Sequence, residues 1–328
     1  MITPRGGPGS PPRPKAQRPV TAQPGRGPEA ERPVTAQRVL AIDFGGTKIA
    51  IATAVVGSSD GRPDSTVRLR TLGADGAHQA VRRTLDAARD LLTGPAAVGV
   101  STFGVLRGGE VRLAPNVPGW DGMALPALLR DEFGDTPVAI DNDVNAGAAA
   151  ELRWGALRGT DVGLYVNLGT GLAAALVAGG RVLPGAHGAA GEIGYLRDRD
   201  TDPHFADGRA PLEDTVSGVA LARRGSALLG RPVSAAELFA LSAEPGVADL
   251  LDETVETLAR TVANLCVTLD PERVVLAGGL MGAADRIMPR VAAVLRRSVP
   301  FPPELVKARF VDDAPLVGAV ALALASAG

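Results

Sequence analysis

Several residues suited to phosphate chemistry lie together at a glycine turn near the start of the chain. Residues 39–52 read V-L-A-I-D-F-G-G-T-K-I-A-I-A, and the turn between the two apolar segments carries Asp43, Gly45, Gly46, Thr47 and Lys48. Glycines let backbone N–H groups approach phosphate oxygens, and a carboxylate can hold a hydrated Mg²⁺. Alone, an ordinary hairpin with a polar tip would be the better interpretation, and the G-x-x-x-x-G-K-[ST] phosphate loop is absent.

Two later segments change that assessment. Residues 164–178 read L-Y-V-N-L-G-T-G-L-A-A-A-L-V-A, a second predicted hairpin whose tip is Gly169, Thr170 and Gly171. Two such hairpins suggest two similar halves, each presenting a phosphate-binding loop to a shared cleft. Residues 274–280 read V-V-L-A-G-G-L, a buried strand that ends at Gly278 and Gly279. Such a strand end suits the flat face of a nucleobase or ribose.

A run of three polar residues, Asp141, Asn142 and Asp143, lies between a predicted strand and a predicted helix. Strand ends that open into a cleft are where α/β proteins place reactive groups. A carboxylate there can accept the proton of an attacking hydroxyl during phosphoryl transfer. The competing interpretation is that Asp141 or Asn142 caps the helix. Both roles are compatible, because three polar residues exceed what one cap needs.

Two loops suit a ligand with many hydroxyl groups. Residues 185–195 (G-A-H-G-A-A-G-E-I-G-Y) place His187 and Glu192 among small residues, so Glu192 could accept hydrogen bonds from two sugar hydroxyls. Residues 114–120 (A-P-N-V-P-G-W) form a rigid loop in which Asn116 offers a donor and an acceptor. A rigid surface turn is the alternative for the second loop.

Composition favours a globular enzyme in a reducing compartment. The chain has 328 residues, 45% hydrophobic and 21% charged, which allows two domains. The single Cys266 excludes an intramolecular disulfide. No apolar run is long enough for a membrane span and no apolar leader is present, so we expect a cytoplasmic location. Residues 1–38 are rich in proline and arginine and contain R-P-V-T-A-Q twice, which predicts a disordered extension.

After residue 38 the pattern is α/β, with hairpins followed by helical crossovers that imply two sheets flanked by helices. We predict an N-terminal α/β domain at 39–150, completed by a terminal helix at 315–327, and a C-terminal α/β domain at 151–314. The predicted strands lie at 39–56 as a hairpin, near Arg68, and at 96–101, 137–140, 163–178 as a hairpin, and 273–277. The predicted helices lie at 76–92, 125–133, 146–154, 212–229, 248–269 and 283–297.

The motifs, taken in order, resemble those of the ROK family (repressors, open reading frames, kinases). The matching segments are I-D-F-G-G-T-K at 42–48, A-P-N-V-P-G-W at 114–120, D-N-D-V-N-A at 141–146, N-L-G-T-G at 167–171, G-A-H-G-A-A-G-E-I-G at 185–194 and A-G-G-L at 277–280. The resemblance implies the actin/hexokinase-like ATPase fold, two α/β domains with a ligand cleft between them. It also implies a glucokinase-like sugar kinase that uses ATP and Mg²⁺ and forms a homodimer.

The resemblance also implies roles for individual residues, with Asp143 as the general base. The side chains implied to contact the sugar are Asn116, Asn142, His187, Glu192, Tyr195 and Glu213. Those implied to surround Mg·ATP are Asp43, Gly45, Gly46, Thr47, Lys48, Gly169, Thr170, Gly171, Gly278 and Gly279, with Asp43 holding Mg²⁺ through water. Taken alone, Glu213 would be assigned to a solvated helix N-terminus.

Two departures from the family pattern stand out. The family continues G-E-I-G-H and then C-x-C-G-x-x-G-C, a structural zinc site, but Tyr195 replaces that histidine and no cysteine lies between Tyr195 and Glu213. Since His204 is the only other nearby candidate, zinc is not expected, and the loop 196–211 must be held by other contacts or be mobile. Alanines also replace expected glycines at Ala173, Ala174 and Ala175, where added methyl groups can crowd a phosphate.

The main prediction is therefore ATP-dependent phosphorylation of a hexose hydroxyl. The alternative is a non-catalytic sugar sensor or regulator of the same family. ROK repressors carry an N-terminal winged helix, which residues 1–38 are too short and proline-rich to form, so nucleic acid is not an expected partner. An actin-like filament or chaperone ATPase would account for the glycine loops but not for the hexose-type loops. Neither the sugar nor the phosphate donor, ATP or polyphosphate, follows from the sequence.

Overall fold

The computed structural model describes residues 37–71, 76–115 and 117–327. The strands are β1 (Arg38–Phe44), β2 (Lys48–Val55), β3 (Ser65–Arg70), β4 (Val98–Thr102), β5 (Val105–Arg107), β6 (Glu110–Arg112), β7 (Val138–Asn142), β8 (Gly163–Leu168), β9 (Leu172–Ala178), β10 (Arg181–Val182), β11 (Arg273–Ala277) and β12 (Glu304–Lys307). The helices are α1 (Ala77–Leu91), α2 (Leu125–Phe133), α3 (Asp143–Trp154), α4 (Glu213–Val216), α5 (Gly218–Leu229), α6 (Ala235–Ala240), α7 (Val247–Leu269), α8 (Ala284–Ser298) and α9 (Ala314–Ser326).

Two five-stranded sheets of the same topology organise these elements. The strand orders are β3-β2-β1-β4-β7 in the first sheet and β10-β9-β8-β11-β12 in the second. In each sheet an antiparallel hairpin, β1–β2 or β8–β9, continues into two parallel strands. Both predicted glycine-tipped hairpins are therefore confirmed, and each half of the chain contributes one.

Helix α3 is packed between the two sheets. Its Ala150 and Trp154 pack with α9 and the first sheet, whereas its Val144 and Ala148 pack against β8, β9 and β11 of the second. The outer face of the first sheet is covered by α1 and α2, and the outer face of the second by α4 to α8. A helix buried on both sides needs small residues, and α3 reads D-V-N-A-G-A-A-A-E-L-R-W.

The C-terminal helix α9 lies against the first sheet and α3 at very short distance. A Cβ atom on Gly99 of β4 would lie 1.9 Å from the carbonyl oxygen of Ala319, and one on Gly318 would lie 2.0 Å from that of Ala146. Both contacts are with backbone, so neither can be relieved by moving a side chain. The proposed division of the chain into domains at residue 150 stays a prediction.

A buried carboxylate ties together the two segments that connect the sheets. Glu151 is fully buried, and its Oε2 accepts a hydrogen bond from the backbone N–H of Ala156 at 2.5 Å. Its Oε1 accepts one from the N–H of Phe310 at 2.7 Å. Ala156 lies between α3 and β8, and Phe310 lies between β12 and α9. Burial raises the pKa of Glu151, and the hydrogen bonds from these N–H groups oppose that shift.

Several predicted boundaries were wrong. The single helix predicted at 212–229 is two helices, because Ser217 is extended and its side chain instead accepts a hydrogen bond from Ala220 N as the cap of α5. The helix predicted at 146–154 begins earlier, at Asp143. Arg38 belongs to β1 rather than to the predicted extension, and residues 1–36 lie outside the described residues. The hairpin β5–β6, the short β10, the helix α6 and the edge strand β12 were not predicted.

Within the described ranges, no helix has both the length and the apolar character that crossing a membrane requires.

We expect Gly318→Ala to destabilise the protein. Alanine in a helix interior is normally better than glycine by about 1 kcal/mol, but here its methyl group would overlap the Ala146 carbonyl. Overpacking of this kind costs about 1–3 kcal/mol, which urea unfolding followed by circular dichroism would measure. Gly282→Ala is the control, since a Cβ there meets no atom within 4 Å. An unchanged or raised stability of Gly318→Ala would contradict the described packing.

We expect Glu151→Ala to be destabilised more than Glu151→Gln. The alanine variant leaves two backbone N–H groups without their acceptor, at about 1–3 kcal/mol each, whereas glutamine keeps one acceptor oxygen. The free energies of unfolding of both variants and the wild type give the order directly. Equal stability of the alanine variant and the wild type would show that the carboxylate does not hold the two connecting segments.

Candidate active site

The acid of the first hairpin is held by its neighbouring strand. Asp43 is paired with Ser101 across β1 and β4, and Ser101 Oγ donates to Asp43 Oδ1 at 3.0 Å. Burial raises the pKa of Asp43 to about 7, and the charge of Asp143 also raises it, against the hydrogen bond from Ser101 and the charge of Lys48. Burial therefore outweighs both the hydrogen bond from Ser101 and the charge of Lys48.

In the run Asp141–Asp143, the first two residues make hydrogen bonds at the start of α3, and the third lies near other acids. Asn142 caps α3, since its Oδ1 accepts from Asn145 N at 2.7 Å, and Asp141 accepts from Asn142 N and Asn145 Nδ2 at 2.8 Å each. Asp143 is the first residue of α3, and burial raises its pKa to about 6. The negative charge of Asp143 helps to raise the pKa values of both Asp43 and Glu192. The capping interpretation therefore holds for Asn142, and Asp143 is the member that faces other acids.

The loop 185–195 brings further acidic and aromatic groups to the same place. Burial raises the pKa of Glu192 to about 7, and the charges of Asp143 and Glu213 add to this shift. Burial also raises the pKa of Tyr195, again with contributions from Glu192 and Glu213. The fold thus brings together four carboxylates and one phenol from four separate segments of the chain.

Glu213 is the first residue of α4, as it would be assigned in isolation, but it is half-buried and its carboxylate contacts the second hairpin. Its Oε2 accepts a hydrogen bond from the backbone N–H of Leu172 at 2.8 Å. A Cβ on Gly171 would lie 2.6 Å from the same oxygen. Glu213 therefore supports the second glycine tip directly, and the tip needs glycine because the carboxylate fills the space beside it.

The first glycine tip is braced from outside the hairpin. Gly45 N donates to Lys48 O at 3.0 Å, Thr71 N donates to Thr47 O at 3.1 Å, and Thr71 Oγ1 donates to Gly45 O at 2.6 Å. Among the described residues, the N–H groups of Gly46 and Thr47 have no acceptor, and both residues are exposed. Two free amides beside a lysine form a cradle for an anion.

The second tip repeats this arrangement. Gly169 N donates to Gly171 O at 3.1 Å, and Gly169 O accepts from Gly218 N at 2.9 Å. In the described part of the chain, the N–H groups of Thr170 and Gly171 donate to no protein atom. Each half thus presents a pair of unused amides at the end of its hairpin.

The strand end at Gly278 lies against the base of the second tip. Gly278 has φ 89°, and a Cβ there would lie 2.5 Å from the carbonyl group of Leu168. Gly279 is exposed, and a Cβ on it would meet nothing within 4 Å. This leaves an open surface next to the tip, where a flat group can rest.

The three alanines that replace family glycines lie outside the tip. They belong to β9 rather than to the turn, and Ala174 and Ala175 pack into the cores on opposite faces of the second sheet. Ala173 packs against the same core as Ala175. These methyl groups therefore lie on the strand rather than on the turn, and their effect on a bound phosphate stays a prediction.

The two remaining residues predicted to contact the sugar are Asn116 and His187. Asn116 lies outside the described residues. His187 is exposed and lines an open cavity of about 710 Å³ with Asp121 and Phe205.

Two residues that hold the first tip, Ser101 and Thr71, were not predicted from the sequence. A polar residue at the end of a predicted buried strand could have indicated Ser101.

The family pattern implies two metal ions, Mg²⁺ and zinc, and the residues present fit only the first. A hydrated Mg²⁺ fits beside Asp43, whose raised pKa reflects burial and a neighbouring negative charge, and Mg²⁺ is usually bound by one or two carboxylates plus substrate phosphates. Zinc does not fit, because within the described ranges no group of three or more His, Cys, Asp or Glu side chains could hold a metal. Any bound Mg²⁺ therefore needs oxygens from a ligand.

Two sheets of equal topology, each with a glycine-tipped hairpin, define the class of α/β proteins with the actin/hexokinase-like ATPase fold. The ROK family model matches residues 39–326, and the chain belongs to this family.

Similar proteins share this architecture over nearly their whole length. The chain is 31% identical to a kanosamine kinase from Amycolatopsis mediterranei over 88% of this chain and 97% of the relative. A ROK hexokinase from Thermus thermophilus matches with 31% identity and a TM-score of 0.73, covering 88% and 98% of the two chains. A ROK glucokinase from Streptomyces griseus, solved with glucose and AMPPNP, matches with 26% identity and a TM-score of 0.71, covering 87% and 99%.

We expect Asp143→Asn to stabilise the ligand-free protein at pH 8. The folded pKa of about 6 lies above the ordinary 3.8, so the stability that the neutral form contributes is lost as the pH rises through about 6. Asparagine stays neutral, and its gain over the wild type at pH 8 is at most about 3 kcal/mol. The gain should shrink towards pH 4.5 in thermal unfolding. Asp90→Asn, at an exposed position of α1, is the control; an equal pH-dependent gain there would refute the desolvation argument.

Proposed function

We propose that this chain is a sugar kinase that transfers the γ-phosphoryl group of ATP to a hydroxyl of a hexose or an amino-sugar relative of one. The observation that carries the proposal is the group of desolvated carboxylates, Asp43, Asp143 and Glu192, which lies with two hairpin tips whose amides are unused. The named activities of the similar proteins, kanosamine kinase, hexokinase and glucokinase, support the same class.

In the proposed reaction Asp143 is the general base. The sugar oxygen attacks the γ-phosphorus, the new O–P bond forms as the bond to ADP breaks, and the hydroxyl proton passes to the Asp143 carboxylate. A pKa of about 6 suits this task, because the group is ionised at neutral pH yet remains basic enough to take the proton. Its place at the N-terminus of α3 also keeps it fixed while the reaction proceeds.

Other side chains are proposed to hold the two substrates. Glu192, Tyr195 and Glu213 would contact the sugar hydroxyls, together with Asn142, His187 and Asn116. The amides of Gly46, Thr47, Thr170 and Gly171 would receive phosphate oxygens, and Lys48 would add positive charge. Gly278 and Gly279 would face the nucleoside. Asp43 would hold Mg²⁺ through water, and the bound ion would supply positive charge that offsets the charge of the transferring group.

The remaining expectations also stay proposals. A cytoplasmic location agrees with the use of ATP and with a single buried cysteine, and a homodimer is the proposed assembly.

The experiment is an ADP-release assay with Mg·ATP against glucose, mannose, fructose, N-acetylmannosamine and kanosamine. We expect turnover of at least one sugar, with kcat falling as the pH drops below about 6, where Asp143 becomes protonated. Asp143→Asn should bind that sugar with nearly unchanged Kd in calorimetry but lose about 10²–10⁴-fold in kcat. Polyphosphate in place of ATP tests the alternative donor.

Each outcome separates the hypotheses. Kinase activity retained by Asp143→Asn would refute the assigned base. Saturable binding of one sugar without turnover by the wild type, with either donor, would refute the kinase and support the alternative of a sugar sensor.

A further inference from the structure

The loop 196–212 connects two residues of the candidate site. It leaves Tyr195, passes through a short 3-10 turn at Phe205–Asp207, and returns to Glu213. Its two ends are joined, since Leu212 N donates to Gly194 O at 3.1 Å. The ring of Phe205 packs edge-on against Tyr195 with centroids 5.2 Å apart. Whatever holds this loop therefore also holds Tyr195 and Glu213.

In the family pattern a zinc ion ties this region together, and the donor set here cannot bind one. The loop is fastened by ion pairs instead. Arg260 of α7 donates from Nε to Asp198 Oδ1 at 3.1 Å and from Nη2 to Asp198 Oδ2 at 2.7 Å. This two-pronged contact joins residues 62 positions apart in the sequence, and its geometry is more specific than a single ion pair.

The loop is also closed on itself by hydrogen bonds around this contact. Asp202 Oδ2 accepts hydrogen bonds from the N–H groups of Asp198 and Arg199, both at 2.8 Å. Arg197 Nε donates to Asp202 O at 3.1 Å. The segment 197–202 is thus a closed turn in which Asp198 is hydrogen-bonded to Asp202 as well as to Arg260.

The return arm is fastened in the same manner. Arg209 donates from Nε and Nη2 to Asp214 Oδ2 at 2.9 and 2.7 Å. Arg224 of α5 contacts Glu253 of α7, which also lies 3.6 Å from Arg199. These groups border an open cavity of about 360 Å³, so water and salt ions reach them.

We propose that Asp198 and Arg260 are positioning residues for the sugar side of the site, replacing a metal ion with an ion pair that anchors the loop to α7. Neither residue touches the reacting atoms. The proposal rests on the proposed function for its sugar readout but not for its structural one. Because the two side chains are 32% and 44% exposed, the pair is worth little in overall stability, and its effect should be local.

The test compares Asp198→Asn, Arg260→Gln and the double variant with a matched control, Glu256→Gln. Glu256 lies on the same helix and pairs with Arg290 of α8 at 2.8 Å, with similar side-chain exposure of 41% and 52%, but it does not touch the loop. Amide hydrogen exchange of the ligand-free proteins should speed up in segments 193–198 and 212–217 in the three loop variants. It should stay at the wild-type rate in the control.

Kinetics supply a readout that a purely structural role would not move. With glucose as the probe, KM for the sugar should rise about two- to fivefold, while kcat and KM for ATP change little. The double variant should be no worse than either single variant, since the pair acts as one unit. Asp198→Glu should restore part of the loss. The wild-type KM should rise with NaCl because the pair is screened, and this dependence should weaken in the variants.

Unchanged exchange in both site segments of Asp198→Asn and Arg260→Gln, or equal changes in Glu256→Gln, would overturn the proposal. So would a wild type that turns over glucose while the loop variants keep its KM. If the wild type phosphorylates no sugar of the panel, the proposed function fails, and the exchange pattern alone still decides whether the pair orders Tyr195 and Glu213.

Discussion

The packing of α3 between two sheets is the constraint on which the rest of the structure depends. Its small residues allow α9 to approach within backbone contact on one side, and Gly147 makes room for the hydroxyl of Tyr165 on the other. A helix packed against a core on two sides cannot shift along its axis without disturbing both cores. Its first residue is Asp143, so the two cores together fix the position of the proposed base.

At the candidate site, the folded protein buries carboxylates whose charged forms are destabilised by the loss of water. Asp43, Asp143 and Glu192 are all desolvated acids near one another, and burial raises the pKa of each. Such an arrangement is typical of functional sites rather than of structural ones. Glu151 shows the contrast, since its two backbone donors stabilise the charge that burial disfavours. Asp43, Asp143 and Glu192 instead stay buried acids with raised pKa values.

Local patterns predicted much of the fold because the information is contained in short segments. Apolar segments on either side of a glycine turn predicted both hairpins, and the polar run at Asp141–Asp143 allowed a helix cap to be expected there. The break at Ser217 was missed because apolar periodicity continues through it, while a side-chain cap redirects the backbone. The contacts of Glu151 with Phe310 and of Asp198 with Arg260 join residues 159 and 62 positions apart. No local rule indicates such partners, since they exist only once the helices are packed.

Glu213 acts on both of the loops assigned to the two substrates, which would couple the binding of one substrate to that of the other. Its carboxylate holds the amide of Leu172, beside the loop assigned to the nucleotide, and its charge acts on the side chains assigned to the sugar. A ligand that hydrogen-bonds to this carboxylate on the sugar side would change the strength of its hydrogen bond with the N–H of Leu172. Linkage makes such an influence mutual, so each substrate would alter the affinity of the other by the same factor. Ordered or synergistic loading of the two substrates would then arise from a single hydrogen bond.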